Sequence, residues 1–527
     1  LIIAGNVGGA LNENGHLENY NEFWKTIMDI ALVAIPRLNI DAPPMGIASI
    51  KGSVVAGGYT AKCFDTNINL YHSVGFDTWL ELDNYFQTDL RYTGTSLDGA
   101  GSREINFINI VQKRKKELQC YNEYSNFLET EIKKILEHKP EWIGISVFSV
   151  NSVISTVNFL ALLKEINPDQ KVIAGGMGLS SFGLGGNSNF GEFLVNENLI
   201  TTYISGEGEL AIIDLLKDGK ESKLTPQIND LNSLAFPMYD DFDLSLYPGK
   251  ENMVYITGSR GCVRACTFCD INSLWKKFRY RSGDNIAAEI LDGYKKYNTT
   301  DFYFTDSLIN GNMKEFVKLL DTIIDYKEQG LLPDELMFGG QFIARPRARF
   351  PEEYYAKMQA AGVYNISVGM ESGSDRVLAD MRKGTTRDDH DYMMQMLQKY
   401  GIRINLLMLI GYPTETEEDF QATLDMIKDY KRYSDSGIIW GIVLGKTMVV
   451  LPNTPIADNA DHWSIAYDNT GNWFSKTNDT LTYHERVKRR MRAGRLCEEL
   501  GYVIKSQIVT VNSLHEIVTQ GGYDSIS

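Results

Sequence analysis

The sequence predicts an α/β protein of two parallel sheets in tandem: a doubly wound sheet, then a partial (β/α) barrel of six β-α units, closed by a small, mainly helical region. Three observations predict it. Short apolar runs alternate with helical stretches from Ile30 to Leu216 and again from Met253 to Val450, the alternation that parallel sheets require. Polar and glycine-rich residues gather at the ends of the predicted strands, where such sheets bind ligands. Between the two series, residues 227–250 hold no sustained period and read as an ordered linker.

The first series starts with an apolar strand, Ile30 to Pro36, then a loop, Asp41-Ala-Pro-Pro-Met-Gly46, and an amphipathic helix from Ile47 to Ala56. Gly57-Gly58 ends that helix, and Tyr59 to Asp65 is the next strand. Trp142 to Phe148 reads as a buried strand, Val153 to Ile166 as a helix, and Lys171 to Ala174 as a strand ending in Gly175-Gly176. Ile204 leads through Gly206-Glu-Gly-Glu209 into a helix to about Leu216, and Glu221 to Pro226 reads as an exposed loop. The divisions that follow are a loosely ordered terminus at 1–26, a first domain at 27–225, a linker at 226–250, the barrel at 251–455 and a C-terminal region at 456–527.

The second series opens with the strand Met253 to Thr257. Five strands follow, at Asp301 to Thr305, Leu336 to Gly339, Tyr364 to Gly369, Ile404 to Ile410 and within Gly437 to Val450. Helices at Asp284 to Tyr297, Met313 to Lys327, Pro351 to Ala361, Thr386 to Tyr400 and Glu417 to Tyr430 separate them. Beyond Pro455, Tyr483 to Leu500 is a basic helix whose Arg and Lys run reads as a solvated face. Trp463, Trp473 and Tyr483 read equally as core or as pocket lining.

Composition excludes several classes. A net charge of −16 argues against nonspecific binding of nucleic acid, leaving at most a local basic patch at Arg279 to Arg281 or Arg486 to Arg495. Six cysteines, three of them in one short loop, are too few for a disulfide framework and point to a reducing cytoplasm. Apolar runs are too short for a transmembrane segment and no signal peptide is evident, so a soluble protein is expected; the chain opens at Leu1, so a start upstream is expected too.

Chemistry concentrates in Gly258-Ser-Arg-Gly-Cys-Val-Arg-Ala-Cys-Thr-Phe-Cys269. Cys262, Cys266 and Cys269 stand at C-x-x-x-C-x-x-C spacing, with no fourth Cys or His nearby. Three thiolates on a short loop suit an iron-sulfur cluster better than a closed zinc site, and leave one iron open to an outside ligand.

With Phe268 before its last cysteine, this loop resembles that of the radical S-adenosylmethionine (SAM) enzymes. The resemblance implies a 4Fe-4S cluster on Cys262, Cys266 and Cys269 whose open iron chelates SAM and cleaves it to a 5'-deoxyadenosyl radical. It also implies SAM contacts at strand ends: Phe268, Asp306 for the amino group, Arg345 for the carboxylate, Glu371 for the ribose or amine, and the adjoining Ser372. Asp306, Arg345 and Glu371 read alternatively as salt-bridged rim residues, while Arg279 and Arg281 read as a buttress of the cysteine loop.

The loops of the first series resemble the Rossmann-like cobalamin-binding domain that precedes the barrel in one subfamily. That resemblance implies cobalamin contacts at Pro44, Gly46, Ser146, Ser149, Gly175, Gly176, Gly206, Glu207 and Gly208, although a Gly-Gly after a strand also serves as a plain tight turn. The Asp-x-His-x-x-Gly motif that would supply a lower cobalt ligand is absent from the first 225 residues. By resemblance the chain is a cobalamin-dependent methyltransferase. One SAM methylates the corrinoid, and another generates the radical on a small-molecule, lipid or peptide substrate. A flavodoxin- or ferredoxin-type protein supplies the electron. The alternatives are a radical SAM cyclase, mutase or coupling enzyme with an empty or non-methylating cobalamin domain, and, of another class, a noncatalytic metal-binding structural protein.

Overall fold

The computed structural model describes residues 28–82, apart from 37, 38, 76 and 80, and residues 121–505, apart from 149–151, 180–189, 220, 222, 250, 251, 446, 452, 469–471 and 478–480. The loosely ordered terminus expected at 1–26 and the expected cobalamin contact at Ser149 lie outside the described residues.

Five parallel strands form the upstream sheet: β1 (Met28–Ala34), β2 (Ala61–Asp65), β3 (Pro140–Ser146), β4 (Lys171–Gly175) and β5 (Thr202–Ile204), in the order β2-β1-β3-β4-β5. The pleat of β1 divides its apolar residues between two cores. Ile30, Leu32 and Ala34 face α1 (Met45–Ala56) and the last upstream helix, while Ala31 and Val33 face the helices on the other side. Those helices are α2 (Thr66–Val74), α3 (Tyr121–Glu137), α4 (Val153–Ile166) and α5 (Phe190–Asn196), and α6 (Gly208–Asp218) packs beside α1. The sheet is doubly wound as expected. Strand β3 begins two residues earlier than its apolar run suggested.

Helix α3 had a readable signal, since Tyr124, Leu128, Ile132 and Ile135 recur on one face and are buried. Helix α1 departs from the amphipathic expectation, because the connector covers its outer face. A side chain at Gly52 would place its Cβ 2.2 Å from the Phe236 carbonyl oxygen, so glycine alone permits that approach. Lys51, also buried, bonds Asp240 and Asp241 of the connector at 2.8 and 2.5 Å. The connector is ordered by these contacts and by Tyr239, which packs into the barrel core.

The second sheet is also parallel. A short antiparallel pair, β7 (Ser259–Arg260) with β8 (Arg279–Tyr280), stands just after its first strand, β6 (Val254–Ile256). Then come α7 (Gly283–Tyr297), β9 (Asp301–Phe304), α8 (Met313–Glu328), β10 (Met337–Phe342), α9 (Glu352–Ala361), β11 (Val363–Glu371), α10 (Asp375–Asp380), α11 (Arg387–Tyr400), β12 (Arg403–Met408), α12 (Glu417–Asp429) and β13 (Ile439–Val443). These six strands are the predicted partial barrel, and their helices close on one continuous apolar core. A seventh strand joins the edge, because the C-terminal chain returns after β14 (Ile465–Tyr467), β15 (Trp473–Ser475) and α13 (Tyr483–Glu499) to place β16 (Ile504–Lys505) beside β13. A two-residue strand carries no period, so no pattern announced it.

In the C-terminal region one open reading is resolved and one expectation is corrected. Trp463 and Trp473 are core, buried with Val377, Tyr412 and Ile456. Helix α13 is not wholly a solvated face. Arg486 and Arg489 are buried; Arg486 donates to the carbonyls of Trp473 and Leu481 and lies 3.6 Å over the Trp473 ring, and Arg489 pairs with Glu415 at 3.0 Å. Among the described residues, no helix is long and apolar enough to cross a membrane.

Candidate active site

The pairing of β7 with β8 closes a loop, residues 261–278, that carries all three clustered cysteines. Gly261 takes φ +93°, and a Cβ there would lie 3.1 Å from the Lys277 carbonyl oxygen and from the Trp275 side chain, so the two arms of the loop touch at this residue. The middle of the loop is pinned to the barrel and to the C-terminal region. Thr267 N–H donates to Met381 O at 3.0 Å, its hydroxyl meets that of Tyr412 at 2.7 Å, and Ile456 N–H donates to its carbonyl at 3.0 Å.

Cys266 is buried, and Cys262 and Cys269 are half-buried. Burial pushes the Cys266 thiol up and that of Cys269 up to about 12, so both stay protonated until a metal displaces the proton. Among the described residues, no three His, Cys, Asp or Glu side chains converge on a single ion. A cubane does not ask for that, because each thiolate ligates a separate iron. Cations surround the loop: the charges of Lys383 and Arg264 act on Cys266, and Arg345 lies within the field of Cys262 and Arg264. Three thiolates with cations about them fit an anionic cluster.

The strand ends show which predicted residues stand open. Asp306 follows β9 fully buried, its carboxylate accepting from Gly258 N–H at 2.8 Å and Ser259 Oγ at 2.6 Å. Burial pushes its pKa up to about 7 against those bonds. Both oxygens therefore hold the entrance to the cysteine loop. Arg345, after β10, donates through one terminal nitrogen to the carbonyls of Asn310 and Gly311 at 2.6 and 3.1 Å, and its Nε has no partner among the described residues. That arginine retains a donor for a ligand.

Glu371 ends β11 at φ +61°, beside an irregularity in the β11–β12 pairing. A non-glycine residue held there is a strained conformation of the kind found at functional sites. Its carboxylate accepts from Lys383 Nζ at 2.6 Å. Burial works against the Lys383 ammonium, but the charge and hydrogen bond of Glu371 outweigh it and leave its pKa raised. Sequence reasoning missed Lys383. It lies in a turn after the short α10, where a basic residue has no periodic or motif context; the adjoining Gly384 was the available hint.

Ser372 is corrected in its side chain. The hydroxyl is fully buried, meets Thr423 at 3.2 Å and accepts from Ser374 N–H at 3.1 Å, so it is spent between β11 and α12. Phe268 is partly buried against the cluster of Tyr412, Trp463 and Trp473, which sets the ring between the cysteine loop and the C-terminal region.

The upstream sheet brings several predicted residues together. Pro44 is the N-cap of α1, and a Cβ on Gly46 would lie 3.9 Å from Ser146 Oγ across the ends of β1 and β3. Among the described residues nothing lies within 4 Å of a Cβ on Gly175, and Gly176, at φ +110°, crosses the end of β3 so closely that a Cβ would lie 2.4 Å from the Val147 oxygen. Beside them Phe148 is 58% exposed and Met177 is 36% exposed, an apolar lip on a glycine-lined edge. That edge fits a broad, partly apolar ligand such as a corrinoid. Gly206, at φ +115°, and Gly208 belong to the β5–α6 turn, where a Cβ on Gly208 would meet Ile50 at 3.2 Å.

Glu207 is corrected. It is 5% exposed and its carboxylate is taken by Arg279 at 2.7 Å, by Arg260 and by Ile228 N–H, so it faces the barrel and not the glycine edge. Arg279 and Arg281 are buried too, and so form no basic patch; Arg281 bonds Glu289 and the Thr257 carbonyl, which bears out their reading as a buttress. Met45, at the start of α1, reaches Thr257 at 3.3 Å and Thr305 at 3.7 Å, so the β1–α1 loop abuts the ends of β6 and β9.

Residues 256–427 match the radical SAM superfamily. An uncharacterized methyltransferase of Pyrococcus horikoshii is 25% identical over 335 residues, 58% of this chain and 69% of that protein. The anaerobic magnesium-protoporphyrin IX monomethyl ester cyclase of Rubrivivax gelatinosus is 22% identical over 386 residues, 68% of this chain and 64% of that protein. The radical SAM methyltransferase TsrM of Kitasatospora setae, solved with cobalamin and a 4Fe-4S cluster, superposes with a TM-score of 0.55 at 16% identity, over 86% of this chain and 81% of that one. The cobalamin-dependent SAM radical enzyme OxsB, solved with aqua-cobalamin and SAM, does so with a TM-score of 0.59 at 16% identity, over 90% of this chain and 66% of that one. At these identities the likeness to the solved structures is one of fold.

Proposed function

We propose, for a chain whose residues 256–427 belong to the radical SAM superfamily, a cobalamin-dependent enzyme that moves a methyl group from SAM to a carbon of its substrate. The observation that carries the reading is a juxtaposition: an open, glycine-lined edge on the upstream sheet adjoins a barrel whose rim bears the cysteine loop and its cations.

When bound, the cluster supplies the electron that cleaves SAM and cobalamin carries the methyl group. In this reading Cys262, Cys266 and Cys269 hold three irons, and a flavodoxin- or ferredoxin-type protein delivers the electron. The free Nε of Arg345 takes the SAM carboxylate, because a planar guanidinium matches a carboxylate and its charge survives burial. Glu371, held by Lys383, accepts from the SAM amine or ribose hydroxyls. Asp306 holds the loop that presents the cluster. Phe268 and the tryptophans behind it exclude water from that side. Gly46, Gly175 and Gly176 let backbone approach the corrinoid, with Ser146 as a polar contact and Phe148 as an apolar one. The substrate is a small molecule, lipid or peptide.

The test is anaerobic reconstitution with iron, sulfide and cobalamin, followed by reduction with methyl-labelled SAM. The expected result is corrinoid absorbance in the purified protein, 5'-deoxyadenosine after reduction, and label recovered in the corrinoid. Deoxyadenosine without label in the corrinoid would favour a cyclase or coupling reaction, the reading to which the Rubrivivax cyclase likeness lends support. No deoxyadenosine at all would sink the proposal.

A further inference from the structure

Arg260 and Arg279 are direct cross-strand neighbours on the two-residue pair that closes the cysteine loop. Like charges opposite one another destabilise a strand pair, and here there are only two pairs of residues to hold the loop shut. The compensation comes from the other domain. Glu207 of the β5–α6 turn bonds both arginines, Glu209 bonds Arg260, and Trp275, inside the loop, lies 6.0 Å from the Arg260 guanidinium and 5.3 Å from that of Arg279. Glu207, Glu209 and Arg279 are buried, so water does not screen the repulsion if a carboxylate is lost.

The turn is rigidly aimed. A Cβ on Gly206 would lie 2.5 Å from Thr225 Oγ1, and Thr225 donates to the Glu207 carbonyl at 2.9 Å. Ile228 N–H completes the Glu207 carboxylate from the connector. Burial works to raise the Glu207 pKa, and the bonds from Arg279 and Arg260 outweigh it, so the group stays ionised.

We propose that Glu207 is a positioning residue for the cluster: the upstream turn neutralises the arginine pair at the neck of the cysteine loop, and the loop takes its metal-holding form only while docked on that turn. The inference rests on reading the loop as the cluster site.

The experiment uses the full chain as wild type, Glu207→Gln, Arg279→Gln and the double variant. In metal-free protein, alkylation of the three loop cysteines by iodoacetamide should be about tenfold faster in Glu207→Gln, because the neck opens. The double variant, which removes one of the opposed arginines, should return toward the wild-type rate. After anaerobic reconstitution, iron retained per chain should fall in Glu207→Gln, the electron paramagnetic resonance signal of the reduced cluster should broaden, and both should recover in the double variant. A general folding defect would not be relieved by removing an arginine from the barrel. Wild-type alkylation in Glu207→Gln, or a double variant as reactive as the single one, overturns the inference. Failure of wild type to take up iron would count against the cluster reading alone, since the alkylation measurement stands without metal.

Discussion

The two sheets present their ligand edges in opposite states. At the barrel rim the polar side chains are engaged before any ligand arrives: Glu371 is paired with Lys383, and Asp306 is closed over by Gly258 and Ser259. At the upstream edge, Phe148 stands exposed, and among the described residues nothing lies within 4 Å of a Cβ on Gly175. The difference teaches what each edge awaits. Charges removed from water must be neutralised in advance, so a site for a small ionic ligand is built from internal pairs with a few donors left over, as at Arg345. An exposed ring such as Phe148 is instead covered by a ligand broad enough to lie on it.

The contrast can be broken most forcibly at the loop itself. Cys266→Ala should abolish both retained iron and deoxyadenosine formation, measured by iron content and chromatography; cleavage that persists would separate the loop from the chemistry. Next in size is Lys383→Met, which removes a buried ammonium and strands the partly buried Glu371 carboxylate. It should lower the stability of metal-free protein by about 3–5 kcal/mol in urea unfolding. A loss nearer that of an exposed pair would mean that the rim is not pre-paired.

A pH series sharpens the comparison further. The Asp306 pKa is about 7 when folded, against an ordinary 3.8. Between those values the folded protein keeps a proton that the unfolded chain has released, so stability should fall as pH rises from about 4 to about 7. Glu415, also near 7, and Asp65, near 6, act in the same direction, while His390, depressed to about 3, opposes them below about 6.5. Asp306→Asn should therefore reduce the slope, and an unchanged slope would place the proton elsewhere. The smallest effect on stability belongs to the upstream edge. Phe148→Asp should shift the unfolding midpoint by no more than about 0.5 kcal/mol equivalent, yet lower the corrinoid retained after gel filtration. A large stability loss would show that the exposed ring is packing after all.

Much of this was legible in order along the chain. The cysteine spacing is contiguous, the alternation of strands and helices is periodic, and Arg345 and Glu371 stand where strands end. Lys383 was not legible, since its meaning comes from a carboxylate twelve residues earlier and a thiol on another loop. Glu207 was read toward the wrong partner. Its glycine-flanked turn looked like a ligand loop, and nothing in the local sequence says that two arginines more than fifty residues onward would claim the carboxylate.

The sequence by itself determined the two parallel sheets, the thiol donor set and the strand-end placement of the polar residues, because periodicity and spacing are properties of neighbouring residues. Tertiary structure alone decided which way the side chains at those ends are spent: Ser372 inward, Glu207 across to the cysteine loop, Asp306 onto its entrance, Arg345 left with a free donor. The reason is that a buried charge or hydroxyl takes the partner the fold brings within reach, and that partner is set by packing between segments far apart in the chain.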